Sequence, residues 1–183
     1  MLRNPIIASL DGLSKEETIA AIKELWGNGN RRVWGFKIDT LLLTEGVDVL
    51  DELQKKAEAG NLVIDLPIIG TPDLIRRSVQ LLSHSTVSHI VCNAMAGPSA
   101  IREAIKAASI SKILVGSVLS SFDIADIKFI FGHVYREVPS YEFAELAKNT
   151  KAAGFFCATE ELDFLSRKPE SRDILKMVVG VRP

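Results

Sequence analysis

Pro5-Ile6-Ile7-Ala8-Ser9-Leu10-Asp11, with the Gly12-Leu13 turn and Ser14-Lys15-Glu16-Glu17 behind it, decides how this chain is read. The first segment is a strand-length apolar run that ends in a carboxylate. The last is a capping box, in which a serine accepts from the backbone three residues on and a glutamate reaches back. Ile19, Ile22 and Leu25 then keep to one helical face. A strand therefore passes into a helix through a turn without the G-x-G-x-x-G fingerprint, and the chain holds no P-loop.

The unit recurs. Further apolar runs cover Val33–Asp39, Leu62–Ile69, His89–Met95, Lys112–Leu119, Gly154–Thr159 and Met177–Arg182, with first residues 28, 29, 27, 23, 42 and 23 apart. A strand with its crossover helix takes roughly 30 residues. The runs are nearly continuous rather than alternating, which marks strands buried on both faces of a parallel sheet. Amphipathic segments separate them. One carries Val47, Leu50 and Leu53 and ends near Gly60, and Thr71-Pro72 starts another with an N-cap and a proline at the first helical position. Gly97-Pro98-Ser99, Ser121 or Phe122, and Pro139-Ser140 open three more, and Thr159 caps a short last one. The long fifth interval holds an extra loop over residues 132–139 with His133, Tyr135 and Arg136.

Repeated strand–helix alternation predicts a parallel α/β fold. The plain first turn favours a (β/α) TIM barrel over a doubly wound sheet. The expectation is one barrel domain over residues 1–183, with seven of eight strand–helix units present and the eighth missing.

Of the 183 residues, 47% are hydrophobic and 25% charged, as in ordinary globular proteins. The 22 basic and 23 acidic residues nearly cancel, which argues against a nucleic-acid-binding face. No apolar run approaches the roughly 20 residues of a membrane span, and the polar residues from Asp11 onward argue against a signal peptide. Two cysteines, Cys92 and Cys157, make neither a disulfide scaffold nor a four-cysteine zinc site. A cytoplasmic protein without metal or cofactor is expected.

In a barrel, chemistry sits at the C-terminal strand ends. Those ends carry Asp11, then Lys37 and Asp39, then Asp65, Asn93, the serines 117, 120 and 121, Thr159 and Arg182. Lys37 and Asp65 are each set inside apolar sequence, where a charge needs a partner. Asp11, Lys37 and Asp65 come from successive strands and can converge at one rim, as a functional site or as a structural ion pair. His84, His89 and His133 lack metal-ligand spacing and serve as surface or filler residues. The cysteines read as buried inert thiols, Gly27-Asn28-Gly29-Asn30 as a turn, and Arg76-Arg77 as a solvated face.

These residues resemble the orotidine 5'-monophosphate decarboxylase family along the whole chain. Ile6-Ile7-Ala8-Ser9-Leu10-Asp11 is similar to its first strand, whose aspartate contacts ribose. Phe36-Lys37-Ile38 is similar to its second, with the first lysine of the catalytic array. Val63-Ile64-Asp65-Leu66 matches the opening of the signature Asp-x-Lys-x-x-Asp-Ile-Pro, and Pro72 matches its final proline. Val118-Leu119-Ser120-Ser121 resembles the fifth-strand Val-Leu-Thr-Ser, whose serine contacts the pyrimidine, and Val179-Gly180-Val181-Arg182-Pro183 resembles Pro-Gly-Ile-Arg-Pro. The resemblance implies Lys37 and Asp65 as catalytic residues, and Asp11, Asn93, Ser120, Ser121 and Arg182 as substrate-binding residues. It also implies a homodimer that takes a nucleotide or phosphosugar, with no nucleic-acid or membrane partner.

The departures fall on the array. The family's second lysine protonates C6 as carbon dioxide leaves, and a second aspartate comes from the partner subunit. Here Pro67 and Gly70 stand at those positions, no lysine lies between Lys56 and Lys106, and Asn93 replaces a histidine. Loss of one general acid costs on the order of 10²–10⁴ in rate. The family's eighth strand and phosphate-gripping Gly-Arg turn are expected to be absent after Pro183. Three readings follow: a nucleotide-binding decarboxylase relative, a catalytically degenerate barrel acting in ligand binding or protein interaction, and a fragment. The related phosphosugar lyases and aldolases use the same missing segment.

Overall fold

The computed structural model describes residues 5–27 and 31–181. Seven strands form one sheet in the order β1-β2-β3-β4-β5-β6-β7. They are β1 (Ile7–Ser9), β2 (Gly35–Ile38), β3 (Leu62–Ile68), β4 (Val87–Asn93), β5 (Lys112–Gly116), β6 (Gly154–Ala158) and β7 (Lys176–Val179). Each falls within or beside one of the apolar runs. The helices are α1 (Lys15–Trp26), α2 (Leu41–Glu45), α3 (Val49–Ala57), α4 (Pro72–Leu82), α5 (Gly97–Ala107), α6 (Ile124–Phe131), α7 (Glu137–Thr150), α8 (Thr159–Arg167) and α9 (Pro169–Arg172). A doubly wound sheet reverses its strand order at a switch point. Here the order follows the sequence without reversal, the (β/α)-barrel type of α/β fold.

Burial follows the run composition. Every residue of β5 after Lys112, and all of β6, is buried, whereas β1 and β7, which end the strand order, are only partly covered.

The chain packs as two compact units. The first is Met1–Leu66, Arg77–Ile90 and Ala108–Lys112. In it β1 pairs with β2 and β2 with β3, all parallel. Trp26 closes the end of α1, its ring 5.2 Å from that of Phe36 and its Nε1 donating to the Val33 carbonyl at 2.9 Å. Ile22, Phe36, Leu53, Leu62 and Ile64 are fully buried. The second unit is Pro67–Arg76, Val91–Ala107 and Ile113–Pro183, with β5, β6 and β7 paired in parallel around buried Leu114, Phe155 and Leu165.

Several helix starts differ from expectation for local reasons. Helix α6 begins after Asp123, not at Ser121 or Phe122, because Asp123 and Asp126 form a reciprocal capping box. Helix α7 begins at Glu137, with Pro139 at its third position, where the missing N–H would have had no helical partner. The N-cap of α8 is Ala158, so Thr159 is already inside the helix. Two short helices, α2 and α9, were not anticipated. The helix read as carrying Val47 starts at Val49, with Val47 in the turn before it. Ser14 does cap α1 in a full capping box, and Thr71 Oγ1 accepts from the Leu74 N–H at 3.3 Å. Of the Gly27–Asn30 turn, Gly27 caps α1 and residues 28–30 lie outside the described residues.

Two strands begin on glycine because the neighbouring chain leaves no room. A Cβ on Gly35 would lie 2.2 Å from the Asn61 carbonyl oxygen, and one on Gly154 would lie 2.7 Å from that of Leu175. Asn61 is held there by its own side chain, whose Nδ2 donates to the Trp34 carbonyl at 2.9 Å. Gly35→Ala is therefore expected to lower stability by about 1–3 kcal/mol, the range for overpacking. Urea unfolding reads this directly, and an unchanged midpoint would contradict so close a strand entry.

Candidate functional site

Register explains how three separated charges meet. Ser9 lies opposite Lys37, and Lys37 opposite Val63. Side chains two apart along a strand share a face. Asp11, Asp39 and Asp65 each sit two residues beyond one of these partners, so Lys37 and the three carboxylates rise on one side. The lysine is the lower of the four, and its long stem carries the ammonium up to the carboxylates.

Lys37 Nζ donates to Asp11 Oδ2 and lies 3.1 Å from Asp65 Oδ2. Ser9 Oγ also donates to Asp11, and Asp39 accepts from Thr40 Oγ1 at 3.0 Å. The Lys37 side chain is only 12% exposed. Burial by itself would lower its pKa, but the Asp11 hydrogen bond and the Asp65 charge together outweigh it and raise the value above that of an ordinary lysine. Asp65 is pushed up: burial dominates, Lys37 opposes it, and the charges of Asp11 and Asp39 add to it. With all four groups ionised the cluster carries one positive and three negative charges. Lys37 is thereby locked in its charged form, while Asp65 gains a proton more readily than an ordinary aspartate. Among the described residues no group of three His, Cys, Asp or Glu side chains is arranged to hold a metal ion.

Asn93, Ser120 and Ser121 belong to the second unit. Asn93 is buried, and its amide holds backbone on both sides: Nδ2 donates to the Ser117 carbonyl at 3.2 Å and Oδ1 accepts from the Met95 N–H at 2.9 Å. Ser120 and Ser121 are exposed in the loop between β5 and α6. Arg136 shapes that loop, its guanidinium donating to the carbonyls of Leu119, Ser120 and Phe122. Arg182 lies outside the described residues. His89 is buried beside the Trp34 ring, with its pKa lowered by burial, and His84 bridges Asp51 and Thr86. The Cys92 and Cys157 thiols are both buried and pushed up to about 12, by burial in each case and by the Glu161 charge as well at Cys157. Thiols so rarely ionised are poor nucleophiles.

One second-unit group escaped the sequence reading. Glu161, fully buried near the start of α8, accepts from Ser117 Oγ and Ser140 Oγ through one oxygen, and from the Ala158 N–H at 2.8 Å through the other. It ties the end of β5, the first turn of α7 and the end of β6 to one carboxylate. Its local sequence, Thr159-Glu160-Glu161-Leu162, carries no signal that separates it from its exposed neighbour Glu160.

The model of a family described as "Orotidine 5'-phosphate decarboxylase / HUMPS family" matches residues 4–183. The chain belongs to this family. An orotidine 5'-phosphate decarboxylase of Aquifex aeolicus is 26% identical over 144 residues, covering 78% of this chain and 61% of its own length. One from Campylobacter jejuni is 26% identical over 183 residues, covering 97% and 78%. The crystal structure of the Lactobacillus acidophilus enzyme superposes with a TM-score of 0.76 at 23% identity, over 98% of this chain and 82% of that one. That from Pyrococcus horikoshii gives 0.74 at 14% identity, over 97% and 80%. Such identities carry the fold of the decarboxylase/HUMPS family. On that fold the first-unit cluster stands at the strand ends, where barrels do their chemistry.

Two outcomes test this geometry. Lys37→Met leaves Asp11 and Asp65 uncompensated and is expected to cost about 1–3 kcal/mol at pH 7, less than the roughly 3–5 of a fully buried pair because solvent reaches all three groups. Without the ammonium nothing opposes the burial that already raises the Asp65 pKa, so Asp65 binds its proton more tightly in the folded state than in the unfolded one and stability returns as pH falls toward 4. Urea unfolding at both pH values checks this, and an equal loss at both would refute the coupling. Glu161→Gln must turn an NH₂ toward either two serines or the Ala158 N–H, and a loss of about 1–3 kcal/mol is expected on thermal unfolding.

Proposed function

We propose that this chain binds a nucleoside monophosphate of the orotidine and uridine type, within pyrimidine biosynthesis, and that its decarboxylation is strongly slowed. The observation that carries this is Lys37, held charged between Asp11 and Asp65 at the strand ends, with Pro67 on the same strand as Asp65. Asp11 offers a carboxylate to sugar hydroxyls. Lys37 offers a fixed positive charge to a carboxylate or to the carbanion left when it departs.

Proton delivery is the weak step. A general acid must lie within hydrogen-bond reach of the reacting carbon. Proline has no proton to give, and Lys37 is held in its charged form by two carboxylates. A rate loss on the order of 10²–10⁴ follows from one absent acid, and more where the array acts as a unit.

The contacts implied for Ser120, Ser121 and Arg182 form part of this proposal, as does a cytoplasmic homodimer that uses no cofactor. The contact implied for Asn93 belongs to it as well, since an amide has a second N–H and a second lone pair beyond the two backbone bonds it makes. Among the described residues no helix is long and apolar enough to cross a membrane. Helix α6 exposes Ile124 and Phe129, apolar side chains that a second copy could cover.

Thermal shift with uridine 5'-monophosphate, paired with carbon dioxide release from orotidine 5'-monophosphate, tests the proposal. A ligand at 100 times its Kd adds about 2.7 kcal/mol to the native state. A rise in Tm is therefore expected, lost in Lys37→Ala, with release at least about 10²-fold slower than that of the Aquifex relative. No shift at millimolar nucleotide would reject binding, and release at the relative's rate would reject the slowed chemistry. A shift with a pentulose phosphate alone would move the protein to the phosphosugar branch of the family.

A further inference from the structure

The second unit holds a pocket of about 310 Å³, formed on α7 and α8 and lined by Glu137, Val138, Tyr141, Glu142, Phe164 and Lys168. It uses none of the residues assigned above. We infer that this pocket binds a small organic ammonium ion.

Three features of its wall converge on that chemistry. Tyr141 and Phe164 supply aromatic surface, and aromatic faces attract cations through the ring quadrupole. Glu137 and Glu142 supply two carboxylates, which disfavour an anionic guest and favour a cationic one. The third feature is an ammonium already in place: Lys168 Nζ stands 4.4 Å from the centre of the Tyr141 ring. The protein fills the cation position with its own side chain. Lys168 is exposed, at the C-terminal end of α8, so its flexible stem can swing into water when a guest arrives. The volume lies at the small end of ligand pockets, which run from about 300 to 1,000 Å³, and suits a compact cation better than a nucleotide.

A guest of this class competes with Lys168 for the Tyr141 face. Removing the lysine therefore strengthens binding, the reverse of what an anion site or a simple surface patch would do. A purely apolar pocket would not distinguish a trimethylammonium group from a tert-butyl group of the same shape.

The test is calorimetric or NMR titration of the intact protein with choline and with its neutral isostere 3,3-dimethylbutan-1-ol. Choline is expected to bind about two- to fivefold more tightly than the isostere, as a solvent-accessible cation–π contact implies. Lys168→Ala is expected to bind choline more tightly than the wild type, Tyr141→Ala to lose binding, and Tyr141→Phe to keep it. Thermal unfolding of each variant confirms that it is folded. Equal affinity for choline and the isostere would overturn the inference. So would weaker binding in Lys168→Ala, or absence of choline binding in both the wild type and Lys168→Ala.

Discussion

The site rests on one ion cluster, Lys37 between Asp11 and Asp65. A charge so largely removed from water is tolerable only when compensated, and here the compensation comes from the two strands that flank β2. The cluster thus links function to fold. It forms only if β1, β2 and β3 are parallel and in the observed register, and once formed it fixes a positive charge at the strand exits. Its excess of carboxylates keeps the ammonium charged and, with burial, makes Asp65 easier to neutralise than an ordinary aspartate.

The two units hold their strand ends in different ways. In the first, a lysine is the hub and carboxylates are the spokes, and the hub remains partly open to solvent. In the second, Glu161 is the hub, with two serine hydroxyls and a backbone N–H as spokes, and it is completely buried. The first arrangement leaves charge available to a ligand. The second commits three hydrogen bonds to the protein and acts as a fastener. Asn93 belongs with the fasteners, since its amide joins the end of β4 to the carbonyl of Ser117.

Much of this was legible in the residues. Seven continuous apolar runs became seven strands, because a strand covered on both faces has no reason to alternate. The convergence of Asp11, Lys37 and Asp65 could be foreseen because a charge embedded in apolar sequence demands a partner. Helix starts were less legible where the cap was an unexpected residue, as with Asp123 and the Asp123–Asp126 box. Least legible were contacts over long sequence distance. Nothing near Glu161 announces Ser117 or Ser140, and nothing near Arg136 announces the carbonyls of residues 119–122.

The central claim is that Lys37 is a permanently charged group fixed by its carboxylate neighbours. Its most direct test is an NMR pH titration of the Lys37 side chain in lysine-labelled protein, assigned by comparison with the Lys37→Met variant. The account predicts a Lys37 pKa above the ordinary lysine value of about 10.4, with an upfield-resolved partner titration at Asp65 lying above the ordinary aspartate value of about 3.9. A Lys37 that loses its proton at or below the ordinary lysine value would show that burial outweighs the carboxylates, and would contradict the account.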